Sequence, residues 1–190
     1  MQQSLRAVRA SLSLLSMPLN KYAPQVATHR RTQNAILEAT KELIATTGLK
    51  KMSMIEIADM SQVSRATLYN HYRDKDSVLI ALCESEIARL VTLMQSAVDV
   101  STALETLSQE ISKDSALAAM RRNDPEVLTL ALSAQDHVLW RGFNVAMTHL
   151  VTDADKAQLV LRWLLGQALH PLTPEQSRLQ AKGISGIANL

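Results

Sequence analysis

The stretch Ser53–Asp76, SMIEIADMSQVSRATLYNHYRDKD, decides how the first part of this 190-residue chain folds. Ser53 and Glu56 have the spacing of a capping box, in which the serine accepts a hydrogen bond at the start of a helix and the acid reaches back to the serine amide. Ser64 has the spacing of a second cap, for a helix whose Leu68 points towards the core. Two short helices joined by a tight turn predict a helix-turn-helix motif.

The flanking sequence extends this motif into an all-α protein. Upstream, apolar residues recur at helical spacing through residues 28–47, and a glycine follows, as is typical of a helix C-terminus. We therefore expect a three-helix N-terminal domain at 28–75 with its helix-turn-helix motif at 53–72, followed by a C-terminal helical domain at 76–190. Residues 1–27 are expected to be a disordered extension.

Composition and charge narrow the class of protein. A single cysteine, Cys83, excludes an internal disulfide and a thiolate zinc cluster, and no apolar run approaches the roughly 20 residues that span a membrane. We expect a cytoplasmic protein without membrane contact or cofactor. Residues 1–76 hold 11 Lys or Arg against 6 Asp or Glu, whereas residues 77–190 hold 9 against 12. The basic N-terminal part is therefore the candidate nucleic-acid face.

The helix that begins after Ser64 carries side chains suited to reading DNA. Arg65 offers the forked donors that match guanine, Thr67 offers a hydroxyl or a methyl group for thymine, and Ala66 permits close approach. Three further residues carry donors suited to phosphate: Tyr69, His71 and Lys75. Taken singly, Arg65 or Lys75 also fits a solvated surface charge and Tyr69 a partly buried helix residue, so it is their joint spacing that indicates DNA binding.

Residues 62–76, QVSRATLYNHYRDKD, resemble the signature of TetR-family transcriptional regulators, and the resemblance extends over roughly residues 29 to 80. It implies DNA contacts at seven positions: Ser53, Ser64, Arg65, Thr67, Tyr69, His71 and Lys75. Gln62 and Ala66 depart from the family pattern, because many members carry glycine at both places. A positive φ at Gln62 would strain the turn. Arg30 and Arg31 are expected to touch phosphates, although a solvated helix start explains them nearly as well.

The second half predicts further helices. Asp74 or Asp76 is expected to cap a fourth helix, and residues 103–111 form another. Asp124-Pro125 is the start of one long helix that runs to Val151. Residues 155–169 follow as a helix that is apolar nearly all round. Finally, Thr173-Pro174-Glu175-Gln176 has the pattern of a helix N-cap followed by a first-turn proline and a capping box, and it begins a terminal segment.

A small-molecule pocket and a dimer interface are expected in this half. Mixed polarity beside an apolar stripe favours a pocket formed by Met94, Met120, His137, Trp140, Phe143, Asn144, Met147 and Trp163. Each Trp or Met also fits ordinary core packing. An apolar helix that one subunit cannot cover favours an interface formed by Leu161, Leu164, Leu165, Gly166, Ala168 and Leu169. The histidines lack metal-ligand spacing, and no catalytic motif is present, so neither a metal site nor an enzyme is expected.

These features and the resemblance together imply an all-α regulator: an N-terminal three-helix helix-turn-helix DNA-binding domain followed by a C-terminal helical ligand-binding and dimerisation domain. We expect a homodimer that binds a palindromic operator in double-stranded DNA and represses until a small apolar or amphipathic effector releases it. The alternative is a DNA-organising or protein-interaction protein of the same fold without a ligand switch.

Overall fold

The computed structural model describes residues 23–133, 138–151 and 153–188, and within these ranges the chain forms helices and no strand. The helices are α1 Ala23–Thr46, α2 Met54–Met60, α3 Arg65–His71, α4 Lys75–Gln95, α5 Val100–Lys113, α6 Ser115–Asn123, α7 Pro125–Ser133, α8 Val138–Val151, α9 Ala154–Leu169 and α10 Pro174–Ala188. The predicted all-α class is confirmed. No helix in these ranges has both the length and the apolar character that a membrane span requires.

By its internal contacts the chain divides into two units, residues 1–35 and 36–190. The first unit contributes the beginning of α1, where the Thr32 hydroxyl donates to the Thr28 carbonyl over 3.1 Å. Residues 1–22, which make up most of the predicted extension, lie outside the described residues. The proposed boundary between residues 75 and 76 stays a prediction.

The helix-turn-helix motif forms as its caps predict. The Ser53 Oγ accepts from the Glu56 amide at 3.3 Å, and the Glu56 carboxylate accepts from the Ser53 amide at 2.8 Å, which completes the capping box. The Ser64 Oγ accepts from the Thr67 amide at 3.0 Å at the start of α3. Leu68, on the inner side of α3, has no exposed surface. Local hydrogen bonds therefore place α3 and its apolar anchor.

Asp74 is the residue that caps α4. Its Oδ1 accepts from the Ser77 amide at 2.9 Å, while the Ser77 hydroxyl accepts from the Asp74 amide at 3.2 Å. The Ser77 amide, together with Arg73, holds the pKa of Asp74 below its usual value. Because the cap follows directly on the helix-turn-helix motif, three residues separate the end of α3 from the start of α4.

Residues 36–190 contain two apolar cores. One joins the end of α1 with α2, α3 and the start of α4, around Ile36, Ile57, Leu68 and Val78. The other joins the end of α4 with α5, α8, α9 and α10, around Leu104, Leu107, Met147 and Leu161. Helix α4 supplies residues to both cores and thereby links the helix-turn-helix motif to the C-terminal helices.

The expected single helix over residues 124–151 is wrong. Trp140 Nε1 donates to the Ala131 carbonyl over 3.4 Å, although the two residues lie nine positions apart. In one straight helix they would be separated by about 13 Å along the axis, more than a tryptophan side chain spans. Helices α7 and α8 are therefore not parts of one straight helix. Helix α6 was also missed, although Asp114 caps it by accepting from the Leu117 amide at 2.9 Å.

The turn between α2 and α3 contains the predicted strain. Gln62 has a φ of +56°, in the left-handed region, whereas the other positive φ in the described residues belongs to Gly48 at +89°. A non-glycine residue in this region costs about 1–2 kcal/mol in the folded state. Glycine avoids this cost, but it also loses more backbone freedom on folding, so a substitution by glycine recovers only part of it. We therefore expect Gln62→Gly to raise the free energy of unfolding by up to about 1 kcal/mol, measured by urea denaturation. Gln62→Ala is the control, and equal stability of the two variants would argue against strain.

Candidate DNA-reading surface and effector cavity

The exposed side of α3 gathers the predicted base-reading residues. Arg65 and Ala66 are exposed, and Tyr69 keeps 53% of its surface accessible. Thr67 is half-buried, with its hydroxyl 2.8 Å from the Ser64 Oγ. Since Leu68 points inward, these side chains share the outer face of a helix that is narrow enough to enter a major groove.

Two of the predicted DNA contacts, Lys75 and Ser53, make hydrogen bonds within the protein. The Lys75 ammonium donates to the carbonyls of Leu49 and Met52 at 3.3 and 3.4 Å, so it ties the start of α4 to the connection between α1 and α2. Ser53 donates its hydroxyl to Glu56 at 2.8 Å. Lys75 therefore has a structural role that its sequence position did not reveal.

His71 and Arg73 complete the polar groups around the end of α3. The ring of His71, which is half-buried, lies 6.2 Å from the ring of Tyr72. Arg73, which sequence reasoning passed over, has 93% of its side chain exposed and contacts Asp74 at 3.1 Å. Its position as a basic residue directly after α3 is the signal that could have indicated a phosphate contact at Arg73. Arg30 and Arg31 are exposed on the part of α1 that belongs to the first unit.

A cavity of about 330 Å³ lies among α1, α4, α5, α6 and α7, and we call it the outer cavity. Its walls are mostly aliphatic, and they include Leu79, Leu82, Leu90, Ile111, Leu117 and Met120. Its volume falls at the lower end of the range of small-molecule sites, which is about 300 to 1,000 Å³. The predicted pocket residue Met120 lies here, and the other lining residues were not predicted as pocket residues.

Five charged residues on one side of the outer cavity form a connected network. Lys41 Nζ lies 2.8 Å from both Glu86 and Asp114, and Arg89 lies 3.0 Å from Glu86 and 2.6 Å from Glu110. Partial burial acts to lower the pKa of Lys41, but Asp114 and Glu86 outweigh it and raise the pKa above its usual value. The network therefore holds α1, α4 and α5 together through charges that face one another.

A smaller cavity of about 130 Å³, the inner cavity, lies beside the first. Three lining residues are common to both cavities: Leu90, Ile111 and Leu117. The inner cavity is also lined by Trp140 and Phe143, whose rings meet edge to face with centroids 6.5 Å apart. No charged residue lines it. Both cavities are thus walled mainly by apolar side chains, and charged residues border the outer one alone.

The remaining predicted pocket residues are dispersed. Met94 and Met147 are buried in the C-terminal core and line neither cavity. Asn144 lies at a surface depression between α8 and α9, and its Oδ1 accepts from Gln158 Nε2 at 2.8 Å. Trp163 donates its Nε1 to Gln180 at 2.8 Å. His137 lies outside the described residues. Of the eight predicted residues, Met120, Trp140 and Phe143 are the ones placed at the two cavities.

The predicted interface residues of α9 lie on two sides of the helix. Leu161, Leu164 and Ala168 are at most 4% exposed and, with Leu165, line the inner cavity. Packing within one chain therefore covers Leu161, Leu164 and Ala168, because α5, α8 and α10 surround this side, whereas Leu165 is half-buried. Gly166 and Leu169 do lie on the exposed side.

The exposed side of α9 carries a regular stripe. Leu159, Arg162, Gly166 and Leu169 follow one another at helical spacing, and Leu159 and Leu169 are 45% and 39% exposed. A Cβ atom built on Gly166 would meet nothing within 4 Å. Val145 of α8, which is 58% exposed, is a further apolar residue on the outer surface of these helices. This stripe combines apolar side chains with a position that allows close approach.

Cys83 also lines the outer cavity. Although the residue is accessible, the surrounding protein desolvates its thiol and raises the pKa of Cys83, and the carboxylates of Glu86 and Glu84 raise it further. The protonated thiol dominates at neutral pH, so Cys83 behaves as a small apolar wall residue rather than as a nucleophile.

Comparison with known proteins identifies the N-terminal part. Residues 36–82 match the family model of bacterial regulatory proteins of the tetR family. The fatty acid metabolism regulator protein of Bacillus subtilis (strain 168) is 30% identical over 110 residues, which are 57% of this chain and 57% of that protein. The alignment thus spans little more than half of that relative.

Two solved structures share the fold. The fatty acid degradation regulator FadR from Bacillus halodurans matches with a TM-score of 0.59 at 18% identity, over 83% of this chain and 94% of that one. The transcriptional regulator FadR from Bacillus subtilis, solved in complex with stearoyl-CoA, matches with a TM-score of 0.52 at 12% identity, over 81% and 96%. Residues 36–82, which contain the helix-turn-helix motif, are thus similar to the tetR family of bacterial regulatory proteins, and the described chain shares its fold with two fatty acid regulators.

Proposed function

We propose that this chain is a homodimeric transcriptional repressor that binds a palindromic operator and is released from it by a small apolar or amphipathic effector. The observation that carries the proposal is the outer cavity. It has the size of a small-molecule site, about 330 Å³, and it is bordered by α1 and α4, the helices that support α3.

The DNA-binding part of the proposal rests on α3. Arg65 and Ala66 are exposed near the start of the helix, where side chains of a recognition helix reach base edges. Tyr69 and Arg73 add exposed donors for the phosphates on either side. In this arrangement Arg65 reads guanine and the remaining groups position the protein.

The dimer is supported by the exposed stripe on α9. One helix-turn-helix motif contacts too little DNA for a specific site, so regulators of this type place two recognition helices about 34 to 36 Å apart. Leu159 and Leu169 supply apolar surface, and Gly166 leaves space for a second helix to approach. The same stripe on a second copy would form a two-fold contact, in which each patch faces its equivalent.

The effector is supported by the apolar walls of both cavities and by the relative solved with stearoyl-CoA, whose acyl chain is an apolar ligand. A ligand in the outer cavity would touch Leu79 and Leu82. Both lie near the beginning of α4, the end of the helix that is adjacent to α3 in the chain. Release requires that the ligand bind the DNA-free arrangement more tightly than the DNA-bound one, since only this difference shifts the population.

Two polar contacts offer a route from the cavity to the reading helices. The Lys41 ammonium joins α1 to Glu86 of α4 and to Asp114. The buried carboxylate of Asp124, between α6 and α7, accepts from the Leu49 amide at 2.9 Å. Because Lys41, Asp114 and Leu49 also line the outer cavity, a ligand that displaces them would change how α1 is held.

Selection of bound sequences from random double-stranded DNA at fixed salt concentration tests the proposal. We expect an inverted repeat whose half-sites are about one helical turn apart. Fluorescence anisotropy on that operator then measures whether alkyl ligands lower the affinity. Enrichment without an inverted repeat would argue against a dimeric sequence reader. An operator whose affinity no cavity ligand changes would favour a DNA-organising protein without a ligand switch.

A further inference from the structure

Asn70 lies on the outer face of α3, opposite the residue that anchors this helix in the core. Leu68 has no exposed surface, so its direction defines the inner side of α3. Each residue of an α-helix is rotated by about 100° from the one before it, so the residues two positions before and after Leu68 lie about 160° away from it. These residues are Ala66 and Asn70, and both are exposed. Asn70 therefore points away from the core as directly as Ala66 does.

The small residue one turn earlier gives Asn70 access to a surface. Ala66 and Asn70 are four positions apart, so they are neighbours on the same face of α3. The side chain of Ala66 is a single methyl group, which lets the backbone of α3 come close to a base edge. The side chain of asparagine is short and reaches a base only when the backbone is close. The pair thus suits direct contact between α3 and the bases.

In the described part of the chain, Asn70 has no structural task that requires an amide. Helix α3 extends from Arg65 to His71 and its C-cap is Tyr72, so Asn70 lies within the helix rather than at its end. Asparagine is a weaker helix former than alanine at such a position. Towards the other described residues, the Asn70 amide makes no hydrogen bond. Its N–H donors and its carbonyl oxygen are therefore available to a partner molecule.

Thr67 differs from Asn70 in this respect. Its hydroxyl lies 2.8 Å from the Ser64 Oγ, which also accepts from the Thr67 amide at 3.0 Å. The Thr67 hydroxyl thus takes part in the cap of α3, and the residue is half-buried. Asn70 rather than Thr67 therefore offers a hydrogen-bond donor and an acceptor to a base on the outer face of α3.

The chemistry of the amide selects one base. In the major groove adenine presents the acceptor N7 beside the donor N6 amino group, and an asparagine side chain matches both at once. The Asn70 Nδ2 would donate to N7, and the Asn70 Oδ1 would accept from the N6 amino group. Guanine presents two acceptors at the same places, so the amide oxygen would face an oxygen there. Asn70 is therefore suited to adenine and unsuited to guanine.

We propose that Asn70 reads an adenine in the major groove of each operator half-site, in addition to the guanine read by Arg65. The two residues are separated by about 7.5 Å along α3, roughly two steps of 3.4 Å between base pairs, so they meet different base pairs. This inference rests on the operator binding proposed above, and it adds to it one base of each half-site and the residue that selects that base.

The test uses chemically altered adenine in the selected operator. The base 7-deazaadenine lacks N7 but keeps the N6 amino group and its pairing with thymine. It replaces each adenine of one half-site in turn, and fluorescence anisotropy measures the affinity. At one adenine the unsubstituted protein is expected to lose affinity roughly 2- to 12-fold, the contribution of one hydrogen bond. Changing that whole base pair should cost roughly 5- to 150-fold.

Asn70→Ala removes the amide. This variant should bind the adenine, 7-deazaadenine and changed-pair operators with equal affinity, while the penalty at the guanine read by Arg65 remains. Since alanine is the better helix former, the midpoint of urea unfolding should stay the same or rise. Arg73→Ala is the control, because it removes another exposed side chain next to α3. It should weaken binding to all these operators alike and keep both adenine penalties.

Loss of the adenine penalties in Asn70→Ala, and not in Arg73→Ala, supports the proposal. Three results would overturn it: no adenine of the half-site is sensitive to the loss of N7, the penalties persist in Asn70→Ala, or Asn70→Ala weakens binding to all sequences alike. A selection that enriches no sequence contradicts the proposed function as well. An operator without an adenine that depends on Asn70 contradicts the reading role of Asn70 alone.

Discussion

Replacing Arg65 by alanine is expected to weaken operator binding by roughly 1–3 kcal/mol, a factor of about 5 to 150, because a bidentate contact with guanine contributes that much discrimination. Arg65 is exposed at the first position of α3 and takes no part in the apolar core, so the free energy of unfolding should stay within about 0.5 kcal/mol. Fluorescence anisotropy on the selected operator, and on versions with each base pair changed in turn, measures the loss.

The pattern across sequences distinguishes the role of Arg65 from that of a general cation. For Arg65→Ala, the penalty for changing one particular guanine should disappear, while the penalties at other positions remain. Arg73→Ala is the control, since Arg73 is also exposed but follows α3. It should weaken all sequences alike and flatten the salt dependence. The same sequence profile in both variants would remove Arg65 from the base-reading set.

Replacing Asp124 by alanine is expected to lower the free energy of unfolding by about 1–3 kcal/mol, because it leaves the amide of Leu49 without its acceptor. Asp124 is 2% exposed, and its other oxygen lies 3.9 Å from the Lys50 ammonium. Chemical denaturation measures the loss as a lower midpoint at unchanged slope.

Asp124→Asn is the matched control for this substitution. Asparagine keeps an oxygen that can accept from the Leu49 amide, and it removes only the charge that faces Lys50. Since Lys50 is 61% exposed, the charge contributes little, and the asparagine variant should retain most of the stability. If both variants lost the same amount, the charge would be the important feature and the hydrogen bond to Leu49 would not.

The helices around the DNA-reading surface could be predicted because local sequence determines them. Ser53, Ser64 and Asp74 each cap a helix through a bond to the residue three positions away, so their effect is visible in the sequence. The positive φ at Gln62 was expected from the resemblance, because many family members carry glycine at that place in the turn. The placement of α8 relative to α7 depends instead on contacts between helices, such as that from Trp140 to Ala131, which periodicity does not encode.

The cavities show the limit of prediction from sequence more clearly. Leu79, Leu82 and Leu90 have the spacing of core residues, and in sequence a residue beside a void looks the same as one packed against a neighbour. For the same reason Leu161 and Leu164 were assigned to a surface between subunits, whereas neighbouring helices of the same chain cover them. An apolar stripe predicts burial, but it does not predict which partner provides it.

The two apolar cavities also bear on how long the protein survives in a cell. Side chains around an empty space lack contacts on one side, so the unliganded chain is less stable than a filled one of the same fold. A ligand that occupies the space stabilises the folded state by about 2.7 kcal/mol when its concentration is a hundred times its dissociation constant. Proteases act on the unfolded fraction, and under the proposed function the effector would therefore slow the turnover of the regulator that it inactivates. The amount of repressor would then rise while its activity falls, which prepares a rapid return to repression once the effector is consumed.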